Sequence, residues 1–366
     1  MKGLALSVCT FFFPLMLFAT AEITQRSSAF GAQDLPSSTF IIRWAFRECA
    51  QHHFEPDGKA LTLKEKLSPV QFDPSKVQPG DLVFARVPGL FFELMHPKIN
   101  NPYILITHGD VDDAYKDEYT RYLNDKKLLA WFGIHPGVHY HPKFFTIPIG
   151  VIGLKAFYDK RDHMHAYFTK LRAVPKNNFL AMNFTDRTHA ERKMVKCLFE
   201  SQPFCSKFDE TAPTMDYLAQ MATCKFTLSP RGSAIDCYRT WEALLVGSIP
   251  VVRSSQLNVL YQNLPIVVVE SWDQVTKEFL EQQYQEITSR QYSLEKLCFD
   301  YWYARIKAVQ QSFLKKYRNT QNIQELYNQD DSEFVAQLVQ VSTCWAEDKI
   351  SFWGINGQDC KEKLQE

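Results

Sequence analysis

The sequence predicts an α/β protein of two domains, each built on a largely parallel sheet. Three observations carry that expectation. The chain has 366 residues, more than one hydrophobic core usually organises. Its apolar residues fall into short, near-continuous runs of strand length, the pattern of strands covered on both faces. Those runs alternate with longer segments of helical period, which is how parallel strands are joined. Composition agrees with a folded chain, at 45% hydrophobic and 22% charged residues. Lysine plus arginine equal aspartate plus glutamate at 41 each, so no global basic field points to nucleic acid.

The chain opens with Lys2, an apolar run from Leu4 to Phe18 and the small-x-small triplet Ala19-Thr20-Ala21. Residues 1–21 read as a signal peptide or a signal-anchor, the run being short for a full membrane span. Either reading places the remainder in the secretory pathway or outside, in a Golgi or endoplasmic-reticulum lumen if the cell is eukaryotic. Membrane attachment is expected only through that segment. Of nine cysteines, Cys9 lies in the leader. An oxidising compartment permits disulfides among the others, and Cys197 with Cys205 and Cys344 with Cys360 are the expected local bridges. Cys224 and Cys237 read as buried free thiols. The spacings are not those of paired zinc ligands.

Taken in order, a helix is expected from about Ser38 to His52, followed by proline-bearing connections. Strands follow at Asp81–Ala85, Tyr103–Thr107, Leu128–Phe132 and Phe144–Pro148, with a crossover helix over 111–127. A linker is expected near 158–176. Beyond it come strands at Asn178–Asn183, Cys224–Leu228, Ile249–Arg253 and Pro265–Val269. Helices fall at Thr188–Phe199, Thr214–Thr223 and Cys237–Val246, and again over 272–318. The domains divide as 22–165 and 166–320, with a helical tail over 321–366.

The segment 224–252 carries the chemistry. A strand ends at Leu228, a loop with Pro230 and Gly232 feeds a helix starting about Asp236, and Gly247 ends that helix. In open α/β sheets, ligands bind beyond the carboxyl ends of the strands. A helix start there attracts phosphate, and Arg231 can add bidentate hydrogen bonds to a diphosphate. Arg239 and Glu242 share one helix face with Tyr238. They suit either an ordinary surface ion pair or a ribose site.

Ser229-Pro230-Arg231-Gly232, Asp236-x-Tyr238-Arg239-x-Trp241-Glu242 and Gly247-x-Ile249-Pro250-Val251-Val252 resemble the donor-binding signature of exostosin-like glycosyltransferases. Asn183-Phe184-Thr185 with Arg187, Thr188 and Glu191-Arg192 resembles the strand and helix that open that family's C-terminal domain. The resemblance is strong over about 178–272 and weaker over 80–155. It implies a GT-B architecture, two Rossmann-like domains facing a cleft, with a nucleotide sugar, by family a UDP-sugar, in 166–320. The acceptor, a glycan or other hydroxyl-bearing glycoconjugate, would lie on the 22–165 side. By that resemblance Arg231, beside Gly232, neutralises the diphosphate, Glu242 holds the ribose, and Arg187 is a further phosphate ligand. Asp236, Tyr238 and Arg239 shape the loop or touch the sugar.

An inverting transfer also needs a general base near the acceptor hydroxyl. His108 and Asp110 follow a predicted strand and are the candidates, although Gly109-Asp110 also suits a turn. Asp110-Val111-Asp112 spells a metal-binding triplet of the other major glycosyltransferase fold, which makes a metal-dependent transferase an alternative. Arg231 can do a metal's work on the leaving group, so no obligatory metal or other cofactor is expected. His135, His139 and His141 lie on a loop broken by Pro136 and Gly137, without the fourth ligand zinc requires. A binding protein of the same fold without turnover is the remaining alternative. Asn183-Phe184-Thr185 is formally a glycosylation sequon, but it ends a predicted strand.

Overall fold

A computed structural model describes residues 40–57, 62–109, 117–134, 141–152, 161–320, 334–336 and 338. Its strands form two five-stranded sheets in which every pairing is parallel. The first sheet runs in chain order: β1 (His52–Phe54), β2 (Asp81–Ala85), β3 (Tyr103–Thr107), β4 (Leu128–Gly133) and β5 (Phe144–Thr146). The second holds β6 (Asn178–Met182), β7 (Cys205–Lys207), β8 (Cys224–Leu228), β9 (Ile249–Arg253) and β10 (Val267–Val269), in the order β10-β9-β8-β6-β7. Helices α1 (Arg43–Glu48), α2 (Leu63–Leu67), α3 (Pro88–Leu94) and α4 (Thr120–Leu123) accompany the first sheet. The second has α5 (Arg161–Arg172), α6 (Ala190–Phe199), α7 (Thr214–Ala222), α8 (Tyr238–Leu245), α9 (Asn258–Tyr261) and α10 (Lys277–Thr288). The long α11 (Phe299–Thr320) follows. Both halves are parallel α/β, the class that the sequence predicts; the second reverses direction after β7 and is doubly wound, whereas the first adds its strands in one direction.

Every residue of β3 and β4 is buried, which is why these strands read as continuous apolar runs rather than alternations. Three apolar clusters result. One covers the outer face of the first sheet under α3 and α4, through Phe91, Phe92, Leu105 and Leu123. Another lies under α6 and α10, through Val195, Phe226, Val251 and Leu280. The third is continuous between the halves, joining Phe84, Ile106 and Phe132 of the first sheet to Trp241 and Leu244 of α8 and Ile306 and Phe313 of α11. Helix α11 thus returns from the C-terminal half, and its Gln310 Nε2 donates to Gly80 O at 2.7 Å.

Gly247 ends α8 with φ +72°, and a Cβ there would meet nothing closer than 3.6 Å. The left-handed backbone, not crowding, is what calls for glycine. Lys176 closes the same corner: its ammonium donates to Ala222 O and Val246 O, the ends of α7 and α8. Burial lowers its pKa to about 7.

Several elements differ from expectation. The first helix stops at Glu48 because 52–54 pairs with β2, with Gln51 N donating to Leu82 O. The edge strands β1 and β7, three residues each, are too short to show a period. The segment expected as a linker contains α5, whose Arg172 Nη1 donates to Leu244 O at 2.7 Å. The Cys197–Cys205 bridge is corrected: both are free, Cys197 exposed on α6 and Cys205 half-buried on β7. Cys224 and Cys237 are buried and free. Cys344, Cys360, Asp110, Asp112, His135 and His139 lie outside the described residues, as do the leader and most of the 321–366 tail. Among the described residues no helix is long and apolar enough to cross a membrane.

Candidate functional site

In the second sheet β6 lies between β7 and β8. The chain therefore leaves β6 and β8 in opposite lateral directions, which opens a crevice at their carboxyl ends. Two arginines fill it. Arg192, on α6, donates from Nε to Arg231 O at 3.0 Å and from Nη1 to Thr185 O at 3.3 Å, and its Nη2 meets Cys237 Sγ at 3.7 Å. Arg239, on α8, donates from Nε to Asn183 O at 3.0 Å. Both guanidiniums lie over the Phe184 ring. Burial, and then the neighbouring Arg239 charge, lower the Arg192 pKa. Gly232 is fixed by this packing, because a Cβ there would stand 2.8 Å from Arg192 Nη2.

The open space lies one strand further on. A cavity of about 500 Å³ sits at the carboxyl ends of β8 and β9, within the usual size range of ligand pockets. Ser229, Arg231, Ile235 and Thr240 form one wall, residues 252–256 and Tyr261 the other, and Glu191 of α6 closes the end. The floor is tied by a 2.8 Å hydrogen bond between the Ser229 and Thr240 hydroxyls. Arg231 and Arg253 supply positive charge. Arg231 Nε is buried without a hydrogen-bond partner among the described residues, so this guanidinium is not fully used within the fold. The Glu191 carboxylate accepts from Arg231 N at 3.4 Å and lies 3.5 Å from Arg253 Nη1.

Of the residues singled out from the sequence, Arg231 lines this cavity. Gly232 stands behind it, against Arg192. Arg187 is exposed and outside the lining, its N–H donating to Thr185 Oγ1 at 3.4 Å. Arg239 and Tyr238 are likewise outside the lining. Glu242 also lies outside the lining. It is 5% exposed and accepts from Ile152 N at 3.3 Å, so it faces the chain leaving the first sheet instead of the cavity. Burial raises its pKa, offset in part by Ile152 N–H, the Arg239 charge and the Tyr217 hydroxyl.

Asp236 faces the same chain, accepting from Ile149 N at 2.7 Å, Cys237 N at 2.9 Å and Trp241 Nε1 at 2.9 Å. Burial raises its pKa to about 6, against the pull of those three donors. Asp236 thus ties the residue before α8 to the chain leaving the first sheet, and it caps none of the helix's own N–H groups.

His108 follows β3 as expected but is 1% exposed, its Nε2 3.1 Å from Pro148 O and its ring stacked on Phe46. Burial keeps an acceptor hydroxyl from reaching it in this structure. His141 Nε2 lies 3.2 Å from Asn124 Oδ1, and among the described residues no three His, Cys, Asp or Glu side chains converge as a metal site. Glu191, Arg253 and Tyr261 had not been given a role from the sequence. The rule that open α/β sheets bind at strand carboxyl ends would have pointed to Arg253, which ends β9.

None of the curated proteins compared with the chain matches it. The crystal structure of a GtfA/B complex aligns at 13% identity and TM-score 0.29, covering 75% of this chain and 59% of that one. That of the pneumococcal O-GlcNAc transferase GtfA with UDP and GlcNAc aligns at 12% and 0.29, covering 74% and 57%. The chain thus spans under two thirds of either protein, and at these scores the topology rests on the two sheets themselves. A family model described as the RXYLT1 C-terminal domain matches residues 156–321. That match covers α5 to α11 and includes the cavity, so over these residues the chain is similar to the RXYLT1 C-terminal domain.

Proposed function

We propose that the protein transfers a sugar from a nucleoside-diphosphate donor, by family resemblance a UDP-sugar, to a hydroxyl of a glycan or other glycoconjugate. The single observation that carries the reading is the cavity at the carboxyl ends of β8 and β9, with Arg231 at its wall and Nε unsatisfied. Arg231 and Arg253 hold the diphosphate and stabilise the charge that develops on it as the glycosidic bond breaks. The acceptor oxygen attacks the anomeric carbon from the side of the first sheet, inverting the centre and losing its proton to a carboxylate. Asp110, which follows β3 in the sequence, is the proposed base. The arginines take the part that a divalent ion plays in metal-dependent transferases, so turnover is expected to survive chelation. The proposed location is a secretory-pathway lumen, with any membrane attachment through residues 1–21.

Release of UDP from UDP-sugars, with and without glycan acceptors, tests the reading. Arg231→Ala is expected to lower kcat/KM by about 100-fold, the scale for removing one preorganised donor from a developing anion. Wild-type turnover in that variant would remove Arg231 from the site. Nucleotide binding without turnover by the wild-type protein would favour a binding protein of the same fold.

A further inference from the structure

Beside the two arginines of the cavity stands one side chain of the opposite charge. Glu191 lies in the first turn of α6, where the helix's positive end favours a carboxylate, and its side chain is 7% exposed. Its two oxygens face different parts of the wall. Oε1 accepts from Arg231 N at 3.4 Å, and Oε2 lies 3.5 Å from Arg253 Nη1. Both contacts are long, so the carboxylate is held in place without a tight ion pair. The Arg253 side chain is 54% exposed, and its Nε donates to Glu270 O at 3.4 Å. Among the side chains that line the cavity, Arg231 and Arg253 are cationic and Glu191 is anionic. A ligand held by both guanidiniums therefore sits next to a desolvated carboxylate.

That sign matters because the charge of the ligand changes during transfer. In a nucleotide sugar neither phosphate has a free terminal oxygen to ionise a second time, so the diphosphate carries about −2. When the acceptor oxygen bonds to the anomeric carbon, the sugar–phosphate bond breaks and its electron pair stays on the terminal phosphate. Free UDP thus ends in a monoester whose second ionisation lies near pH ~6, and its diphosphate carries close to about −3 at neutral pH. Repulsion grows with the charge met, and a buried carboxylate is screened less than an exposed one. Resting on the donor-site reading above, we propose that Glu191 is a specificity-determining residue that limits the negative charge the cavity accepts. It favours the nucleotide sugar over the nucleoside diphosphate left after transfer. Arg231 and Arg253 draw the diphosphate in, Glu191 opposes the charge gained on transfer, and the spent nucleotide leaves sooner. Glu191 makes no bond to the ligand on this account.

The test compares UDP with its terminal methyl ester, which keeps the charge of a nucleotide sugar but carries no sugar. Calorimetric titrations at about pH 8, well above the second phosphate ionisation, give the ratio of the two affinities within one protein. A general weakening of the fold cancels in that ratio. Wild type is expected to bind the ester at least as tightly as UDP, despite the additional charge of UDP and the two arginines. Glu191→Gln, which keeps the shape of the side chain, is expected to shift the ratio about tenfold toward UDP, the scale of one partly screened charge pair. Arg253→Ala retains Glu191 and is expected to shift the ratio toward the ester. An unchanged ratio in Glu191→Gln, or a shift toward the ester, overturns the proposal. So does wild-type protein that prefers UDP by about tenfold, the size of effect assigned to Glu191. Wild-type protein that binds neither nucleotide overturns the donor-site reading itself.

Discussion

Arg192 shows how one side chain can make a loop motif necessary. Its guanidinium runs under the turn 229–232 and holds Arg231 O, Thr185 O and Cys237 Sγ together, so the backbone that presents Arg231 depends on it. Leaving buried carbonyls without a donor costs about 1–3 kcal/mol each, and a lysine lacks the fork that spans them. Gly232→Ala places its Cβ against Arg192 Nη2, with Thr188 Oγ1 the next neighbour at 3.5 Å. The two positions are therefore expected to be coupled. In urea denaturation, Gly232→Ala should destabilise the wild-type protein by about 1 kcal/mol or more, on the scale of overpacking, and cost little in an Arg192→Ala background. Additive effects would contradict the packing account. The motif Ser229-Pro230-Arg231-Gly232 was legible in the sequence, and so was the place of Arg231. The contacts that Asp236 and Glu242 make within the fold were not. A pattern marks residues that their surroundings require, without saying which neighbours they meet. These two meet the N–H groups of Ile149 and Ile152.

At the scale of elements, α8 with the turn before it joins the two halves. Asp236 receives Ile149 N–H and Glu242 receives Ile152 N–H, so two carboxylates hold the chain as it leaves the first sheet. Asp236 is raised to about 6 by burial, from an unfolded value near ~4. Between those values the folded state holds more protons than the unfolded one, so stability falls as pH rises through that window. The melting temperature of wild type relative to Asp236→Asn is expected to decline from pH 4.5 to 6.5, measured by circular dichroism. A difference independent of pH would show that Asp236 is not perturbed. Asp125 works in the opposite sense. Burial raises its pKa, but its bonds to His96 and to Lys127 N–H outweigh that and hold it at about 2. Its contribution is present above the usual carboxylate range and lost in stronger acid. The central strands were legible because burial on both faces makes a run of apolar residues, as in β3 and β4. The strands β1 and β7 were not, since their pairing partners across the sheet determine them. Nor was α5 legible, whose place follows from Arg172 bonding the end of α8.

For the whole molecule, the two sheets share one apolar cluster from Phe84 to Phe313, and α11 carries the chain back to Gly80. The halves are thus joined by a core as well as by a connection. The cavity, however, is lined entirely by residues from Glu191 to Tyr261. On this account the second half binds the donor by itself, and the first half contributes the acceptor side and Asp110. Backbone hydrogen exchange with and without UDP tests that division most directly. UDP is expected to slow exchange at residues 229–237 and 251–256, the two strand ends around the cavity, and to leave β1 to β5 unchanged. Protection confined to the first sheet, or absent from both strand ends, would contradict it.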